Sequence, residues 1–349
     1  MRIVLTGGGT GGHVIPNLAV IEELKKRDGV DIFYIGSKDG IEEKLVKRLG
    51  VRYEGVHCGK FRRYFSWQNF VDIFKVPAGV WEAKKILREY EPSVVFSKGG
   101  YVSVPVVYAA KKLRIPLVVH ESDVSPGLAN KFAFSRAEKI CVSFEETKSY
   151  IPKDYEEKVV WTGSPIREEI LSGDREAGYR MVGFDKHRPV LLIMGGSQGA
   201  EQINELVRAG LDELLKKFQI VHLVGKGNLD ISVKRTGYVQ YEYLEQQMKD
   251  VLAMCDMAIT RGGANSLFEL AILGKKALVI PLTGEATRGD QELNAAVFVR
   301  KFGWSMISGD ISREDFISNV ELAFENEFNR EAKVKNGSKE IVDIILKSV

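Results

Sequence analysis

A glycine turn that leads into a helix with one carboxylate is the part of this chain best suited to chemistry. The segment 261–266 reads RGGANS; it follows the apolar run 257–260 and precedes 267–271, whose apolar spacing predicts a helix. Gly262 and Gly263 would let a ligand reach the backbone, and the N-terminus of the helix would attract a phosphate. Glu269 lies one turn further on, where it could accept hydrogen bonds from two ribose hydroxyls. The segment predicts half of a nucleotide site; the alternative is a turn whose glycines serve only packing, with Glu269 exposed.

His13 ends a second glycine-rich loop, residues 7–12, which follows the strand-like run 2–6 and precedes helical spacing from Asn17 to Lys26. An imidazole at the mouth of such a loop could act as a general base near neutral pH. The alternative is a histidine that satisfies a loop carbonyl. The loop lacks both GxGxxG phasing and the GK[ST] ending of a P-loop, so neither standard nucleotide motif is predicted.

Polar residues follow other strand-like runs. Glu121 and Asp123 come after the run 116–119; they could orient a histidine or hold sugar hydroxyls, or they could cap the following turn. Tyr243-Leu244 could frame a planar base, and Arg167 ends a segment that resembles a hinge. The carboxyl ends of strands line the ligand crevice of a doubly wound sheet, so we expect these polar ends to face one place.

Basic and aromatic residues alternate in the stretch 59–81. Aromatic rings at headgroup depth, with arginine or lysine on lipid phosphates, suit the surface of an anionic membrane. The alternative is a helix whose aromatic residues face the core and whose charges are solvated. The residues that we assign to membrane contact are Phe61, Arg62, Arg63, Phe65, Trp67, Phe70 and Phe74.

The elements that must position these residues repeat. A strand, a glycine loop and a helix occur at the beginning of the chain and again at 190–211, about 190 residues later. This repeat predicts an α/β protein of two Rossmann-like domains, the first spanning residues 1–164 and the second 165–330. Amphipathic helices are predicted at Arg313 to Glu325 and Asn329 to Leu346.

Composition excludes several classes. The net charge of +3 is too small to indicate nucleic-acid binding. Cys58, Cys141 and Cys255 are scattered without CxxC spacing, so we expect neither a disulfide framework nor a zinc site, and a reducing cytoplasm fits best. The sequence contains no DxD pair, so a diphosphate bridged by a metal ion is not predicted. We expect no signal peptide, because Met1-Arg2 runs directly into the strand-like residues 3–5 without a longer apolar region and a small-residue cleavage site, and no apolar run approaches transmembrane length.

Several motifs, taken in order and spacing, resemble the MurG family, the UDP-N-acetylglucosamine:undecaprenyl-diphospho-muramoyl-peptide N-acetylglucosaminyltransferases of bacterial cell-wall synthesis. They are residues 8–13, 98–103, 120–121, 126–128, 195–200, 261–264 with Glu269, and Gln291 with Asn294-Ala295. The resemblance covers almost the whole chain. It implies a glycosyltransferase-B fold, with two Rossmann-like domains facing a cleft and residues beyond about 330 returning to the first domain.

The resemblance also implies roles for residues in the matching motifs. His13 would be the general base on the acceptor hydroxyl, with Tyr101, His120 and Glu121 on the acceptor side. Gln291 would contact the N-acetylglucosamine hydroxyls. The UDP diphosphate would contact Arg167, Ser197 and Asn265-Ser266. Uracil would lie against Tyr243-Leu244, and Glu269 would bind the ribose. The other residues that we assign to the donor are Thr10, Gly11, Gly12, Asp123, Ala264 and Asp290.

An inverting transfer needs a base for the incoming hydroxyl and positive charge for the departing UDP. The family resemblance therefore implies UDP-N-acetylglucosamine as substrate, with no cofactor and no metal. It implies an undecaprenyl-linked acceptor (lipid I), a peripheral position on an anionic membrane at the cytoplasmic face, and contacts with other cell-wall synthesis proteins.

The chain departs from the family in two motifs next to the donor sugar. Ser122-Asp123 stands where the family usually has Gln-Asn, and Asp290 replaces the usual His or Gln before Gln291. A transferase acting on another lipid such as diacylglycerol is therefore the nearest alternative. Paired glycine loops also suggest an NAD-dependent oxidoreductase, but neither loop has the required phasing. A non-catalytic UDP-sugar-binding protein is disfavoured by the presence of His13.

Overall fold

The computed structural model describes residues 1–59, 67–196, 199–284 and 288–349; for residues 67–74 only the helical backbone is described. The chain forms two compact units. The first comprises Met1–Arg167 with Lys335–Val349, and the second Glu168–Val334. Each unit contains a parallel sheet with helices packed on it, which confirms the predicted α/β class.

The first unit is built on a seven-stranded sheet in the described chain, with the order β3-β2-β1-β4-β5-β6-β7. Its strands are β1 (Arg2–Thr6), β2 (Asp31–Ser37), β3 (Arg52–Val56), β4 (Val94–Ser97), β5 (Leu117–Glu121), β6 (Lys139–Val142) and β7 (Val159–Trp161). All neighbouring strands are parallel. The order reverses between β1 and β4, so the loops after these two strands border the crevice typical of a doubly wound sheet.

Within the described residues, five α-helices follow strands of this sheet: α1 (Gly11–Leu24), α2 (Ile41–Arg48), α3 (Trp67–Tyr90), α4 (Ser103–Leu113) and α5 (Leu128–Phe134). The predicted start of α1 at Asn17 is wrong, because the helix begins at Gly11, within the glycine loop. The prediction excluded Pro16, but a proline near the beginning of a helix is tolerated since its fixed φ is already helical.

Both faces of the first sheet are buried. Ile3 and Leu5 of β1 belong to one apolar cluster, whereas Val4, between them, belongs to a cluster on the other face. Successive side chains of a strand point to opposite faces, so a strand covered on both sides must be apolar throughout. This explains why the buried central strands β1, β4 and β5 are nearly continuous apolar runs, whereas β3, at the edge of the sheet, is polar and less buried.

The second unit has a six-stranded parallel sheet in the described chain, with the order β10-β9-β8-β11-β12-β13. The strands are β8 (Val190–Met194), β9 (Gln219–Leu223), β10 (Tyr238–Tyr241), β11 (Met257–Thr260), β12 (Lys276–Val279) and β13 (Ser305–Met306). The helices are α6 (Arg175–Val182), α7 (Glu201–Lys217), α8 (Met248–Met254), α9 (Ala264–Ile272), α10 (Asp290–Phe302) and α11 (Arg313–Glu325). The order reverses between β8 and β11, the strands that precede the two glycine turns of this half.

The last helix, α12 (Ser338–Lys347), belongs to the first unit. Ile341 and Ile345 are buried in the same cluster as Leu18 of α1. The predicted start of this helix at Asn329 is wrong, because residues 329–337 form a turn and irregular chain with an isolated bridge at Asn336, and the helix begins only at Ser338. Asn336 accounts for this difference: its side chain accepts from the backbone N–H of Ile166 at 3.2 Å and donates to the Ile166 carbonyl at 3.1 Å, which aligns the segment with residues 164–166.

Candidate functional site

The glycine loops after β1 and β4 touch at the carboxyl edge of the first sheet. A Cβ on Gly9 would lie 2.3 Å from Cε1 of Tyr101, and a Cβ on Gly100 would lie 2.9 Å from Cδ2 of His13. Both glycines have positive φ, 86° and 78°, a conformation that other residues rarely adopt. The structure therefore brings His13 and Tyr101, which are 88 positions apart, to one place, and only glycine permits the approach.

Two buried polar side chains hold the first glycine loop. Asn17 donates from Nδ2 to the Thr6 carbonyl at 3.2 Å and to the Tyr34 hydroxyl at 2.8 Å, and that hydroxyl donates to the Gly7 carbonyl at 2.6 Å. Burial raises the pKa of Tyr34, so its hydroxyl remains a donor. Neither Asn17 nor Tyr34 is predicted as a functional residue from its sequence pattern; the available signal was an asparagine among the apolar residues of α1.

His120 and Glu121, assigned to the acceptor side, are both buried. The Glu121 carboxylate accepts from the N–H groups of Asp123 and Gly127, each at 3.0 Å, and from Nδ2 of Asn130 at 2.9 Å. His120 contacts the Gly163 carbonyl through Nε2 at 3.2 Å, and burial holds its pKa well below the ordinary range. In this arrangement both residues hold the backbone around them. The geometry supports the interpretation that Glu121 caps the following turn.

The remaining assigned residues of the first unit lie on its loops. Thr10 precedes α1 and is exposed, and its carbonyl accepts from the N–H of His13 at 3.1 Å. Gly11 and Gly12 form the first turn of α1, beside Thr10. Asp123 is half-buried, and its carbonyl accepts from Oγ1 of Thr147 at 3.1 Å. Arg167, also half-buried, is the last residue before the second unit.

In the second unit, the turn before α9 is shaped by the helix α10. A Cβ on Gly262 would lie 2.2 Å from the carbonyl oxygen of Gln291, whereas a Cβ on Gly263 would have no atom of a described residue within 4 Å. Asn294 donates from Nδ2 to the Gly262 carbonyl at 3.1 Å. Gly262 is therefore required by packing, which was the alternative explanation, while the backbone at Gly263 stays open to a ligand.

Arg261, at the beginning of this turn, received no role from the sequence. Its Nη1 donates to Oε1 of Gln202 at 3.0 Å and to the carbonyl of Ile280 at 3.1 Å. Partial burial lowers the pKa of the guanidinium, which nevertheless keeps its charge at neutral pH because the ordinary value is so high. Arg261 thus joins the first turn of α7, the turn before α9 and the end of β12. Its place in the glycine motif was the signal that could have identified it.

Gln291 and Asp290 begin α10. Oε1 of Gln291 accepts from the N–H of Leu282 at 2.9 Å, so this amide fixes the loop after β12. The Asp290 carboxylate lies 3.0 Å from Nη2 of Arg288. Both contacts tie the polar loop to the helix that packs on Gly262. The structure therefore gathers Arg261, Gly262 and Gln291 at one edge of the second sheet.

Other residues assigned to the donor lie on the same unit. Ala264 is buried at the beginning of α9, and Asn265, Ser266 and Glu269 are half-buried further along it. Tyr243 is 51% exposed after β10, next to the buried Leu244. Ser197 lies outside the described residues, as do Phe61, Arg62, Arg63 and Phe65. The side chains of Trp67, Phe70 and Phe74 also lie outside the described part of the chain.

A buried hydrogen-bond network that local sequence patterns do not predict joins β9 to β10 and α7. His222 contacts Oδ1 of Asn204 through Nε2 and the Tyr238 hydroxyl through Nδ1, each at 2.9 Å. Burial lowers the pKa of His222 to about 3, so the ring is neutral, and burial raises the pKa of Tyr238 to about 12. Nδ2 of Asn204 donates to the Val224 carbonyl at 2.9 Å, beside Gly199 of the neighbouring glycine loop. The network therefore stabilises that loop rather than offering a base.

The described residues include no group of three or more histidine, cysteine, aspartate or glutamate side chains placed to hold a metal. None of the described helices is long and apolar enough to span a membrane. The arrangement offers an imidazole beside a tyrosine in the first unit. In the second unit it offers an open helix N-terminus, a carboxylate one turn further and a half-buried guanidinium. These groups suit proton removal from a hydroxyl and binding of a nucleoside diphosphate, respectively.

Comparison with known proteins identifies the same family along nearly the whole chain. Residues 3–142 match the model of the glycosyltransferase family 28 N-terminal domain, and residues 190–347 match that of its C-terminal domain. The UDP-N-acetylglucosamine--N-acetylmuramyl-(pentapeptide) pyrophosphoryl-undecaprenol N-acetylglucosamine transferase of Lachnoclostridium phytofermentans is 49% identical, over 99% of this chain and 97% of its own. A Bacillus cereus protein of the same name, numbered 2, is 48% identical over 100% and 99% of the two chains. The crystal structure of Acinetobacter baumannii MurG superposes with a TM-score of 0.71 at 22% identity, over 99% of each chain, and confirms the fold.

Proposed function

The chain belongs to glycosyltransferase family 28 and, within it, to the MurG family, and we propose that it transfers N-acetylglucosamine from UDP-N-acetylglucosamine to the 4-hydroxyl of the muramoyl group in undecaprenyl-diphospho-muramoyl-pentapeptide. The product is the disaccharide-bearing lipid used for peptidoglycan. The observation that carries the proposal is that relatives with this printed activity match nearly every residue of the chain at almost half identity.

The second unit binds the donor in this proposal. The diphosphate approaches the backbone at Gly263, where the N-terminus of α9 presents the positive end of its dipole. Glu269 accepts from the ribose hydroxyls, and Tyr243 with Leu244 borders uracil. Gln291 contacts the sugar from the beginning of α10. Arg261 holds the turn before α9 against α7 and the end of β12, since its guanidinium bonds to Gln202 and to the Ile280 carbonyl.

The first unit binds the acceptor. His13 removes the proton from the muramoyl 4-hydroxyl, and the oxygen attacks the anomeric carbon of N-acetylglucosamine as the bond to the UDP oxygen breaks. One step of this kind inverts the anomeric configuration. Negative charge develops on the departing UDP, which the α9 dipole and Arg167 stabilise. Tyr101 contacts the acceptor beside His13, because the two rings lie against the same pair of glycine loops.

The partners follow from the lipid-linked acceptor. The enzyme must meet a bilayer, so we propose a peripheral position on the anionic cytoplasmic face of the cell membrane, where other cell-wall synthesis proteins work. Phe61, Arg62, Arg63, Phe65, Trp67, Phe70 and Phe74 remain the proposed contact. Alternating cationic and aromatic side chains combine attraction to anionic headgroups with burial of apolar rings.

A UDP-release assay tests the proposal. Purified protein is given a panel of sugar nucleotides, with the undecaprenyl-linked muramoyl-pentapeptide and diacylglycerol as competing acceptors. We expect UDP release only with UDP-N-acetylglucosamine and the undecaprenyl-linked acceptor, together with a disaccharide product of inverted configuration. Transfer to diacylglycerol alone would overturn the acceptor assignment. A reaction without acceptor checks for epimerisation, because a solved UDP-GlcNAc 2-epimerase from Neisseria meningitidis shares this fold with a TM-score of 0.71 at 13% identity, over 100% of this chain and 99% of its own.

A further inference from the structure

Lys98, directly after β4, is a fully buried lysine. Its ammonium donates to Oγ of Ser122 at 2.5 Å, and Ser122 is itself buried. Burial lowers the pKa of Lys98 to about 8, against the attraction of the nearby Glu121 and Asp123 carboxylates. A lysine is rarely buried because removing its charge from water is costly, and an apolar side chain could fill the same space more cheaply.

The position of Lys98 links three loops of the first unit. Its Cβ lies 3.0 Å from where a Cβ on Gly7 would be, so it abuts the loop after β1. It begins the turn that contains Gly100 and Tyr101, which pack on His13 and on Gly9, respectively. Its ammonium reaches Ser122, on the loop after β5. Lys98 is therefore one side-chain connection, among the described residues, between the two loops that hold His13 and Tyr101 and the segment that follows Glu121.

We propose that Lys98 and Ser122 form a positioning pair for the acceptor hydroxyl: the buried ammonium, bonded to Ser122, sets the turn 99–101 and, through it, His13 and Tyr101. The proposal rests on the proposed function. Ser122 suits the pair because its short, buried side chain places a hydroxyl oxygen where it accepts a hydrogen bond from the ammonium.

The charge on Lys98 gives the pair a pH dependence. The titratable groups that act on it in the described chain are Glu121 and Asp123, which favour the ammonium, and His120, which burial keeps neutral. Below pH 8 the ammonium is present and attracts the carboxylates. Above pH 8 it loses its proton, and that attraction is lost. The turnover of the wild-type enzyme should therefore fall as the pH rises through about 8.

The test compares Lys98→Met, Ser122→Ala, the double variant and a control, Lys111→Met, which removes an exposed lysine of α4. We expect Lys98→Met to lower kcat at least tenfold at pH 7, to leave KM for UDP-N-acetylglucosamine within twofold, and to lack the fall above pH 8. Ser122→Ala should also lower kcat, and the double variant should be no worse than Lys98→Met. Wild-type kcat and pH profile in Lys98→Met, or additive losses, would overturn the proposal.

Two further measurements keep the test valid if Lys98→Met fails to fold or if the transfer reaction cannot be assayed. If Lys98→Met does not fold, Ser122→Ala decides, since wild-type kcat in that variant overturns the pair. NMR signals of the five histidine rings, with His13 assigned by His13→Ala, report geometry without any substrate. The His13 signal should shift in Lys98→Met and in Ser122→Ala but not in Lys111→Met; an unchanged signal contradicts the pair. A wild-type protein without transfer activity would instead refute the proposed function.

Discussion

Gly262 and Gly263 are adjacent but should respond in opposite ways to alanine. A methyl group on Gly262 would lie 2.2 Å from the carbonyl oxygen of Gln291 and 2.9 Å from its Cβ, and neither atom can rotate away. On Gly263 no atom of a described residue would come within 4 Å. Gly263 has φ −70° and ψ 125°, which alanine adopts without strain. The pair therefore separates packing from ligand access within one turn.

The magnitudes follow from these contacts. Gly262→Ala must push the beginning of α10 away, and overpacking of this kind costs about 1–3 kcal/mol. It also disturbs the hydrogen bond from Asn294 to the Gly262 carbonyl, which contributes about 1 kcal/mol. We therefore expect Gly262→Ala to lose about 2–4 kcal/mol of stability. Gly263→Ala should gain about 0.4–1 kcal/mol, because alanine reduces the conformational entropy of the unfolded chain.

Urea denaturation and calorimetric titration with UDP measure the two effects. Gly263→Ala should be at least as stable as the wild type but bind UDP about tenfold more weakly, a loss of about 1.4 kcal/mol, since its methyl group occupies the proposed approach of the diphosphate. Wild-type UDP affinity in Gly263→Ala would refute a phosphate site at this backbone. Wild-type stability in Gly262→Ala would refute the packing argument.

Three further predictions concern the proposed roles. His13→Ala should leave UDP binding intact and lower turnover by about 10² or more, the usual effect of losing a general base; turnover within a few-fold of wild type in a folded variant removes His13 from the mechanism. Glu269→Ala should weaken UDP binding by about 1.5–3 kcal/mol and abolish the preference for UDP over its 2′-deoxy analogue, which titration calorimetry measures; an unchanged preference contradicts the ribose assignment. Arg62→Glu with Arg63→Glu should abolish the preference for anionic vesicles, at about 1 kcal/mol for each arginine, while Trp67→Ser should weaken sedimentation with vesicles even at high salt. Unchanged sedimentation in these variants would place the membrane contact elsewhere.

Much of the fold was predictable because it depends on local patterns. Buried parallel strands require continuous apolar runs, and the glycines after β1, β8 and β11 mark the turns into helices. The repeat of this pattern predicted two sheets of the Rossmann type. The least accurate predictions were helix ends. Those of α1 and α12 were wrong because the first depends on a glycine loop held by Asn17 and Tyr34, and the second on Asn336 binding the backbone at Ile166.

For the candidate site too, some features follow from the sequence and others only from the tertiary structure. The sequence alone determined which residues carry reactive groups, since His13, Glu269 and the glycine turns follow from residue type and spacing. Only the tertiary structure decided which of them meet. Gly100 packs against His13, Gly262 is closed by Gln291 while Gly263 stays open, and Lys98 is buried against Ser122. These contacts join residues between 24 and 87 positions apart, as the pairs Lys98–Ser122 and His13–Gly100 illustrate. Local sequence patterns set the conformation of a segment, but such contacts depend on how separate segments pack across the sheet.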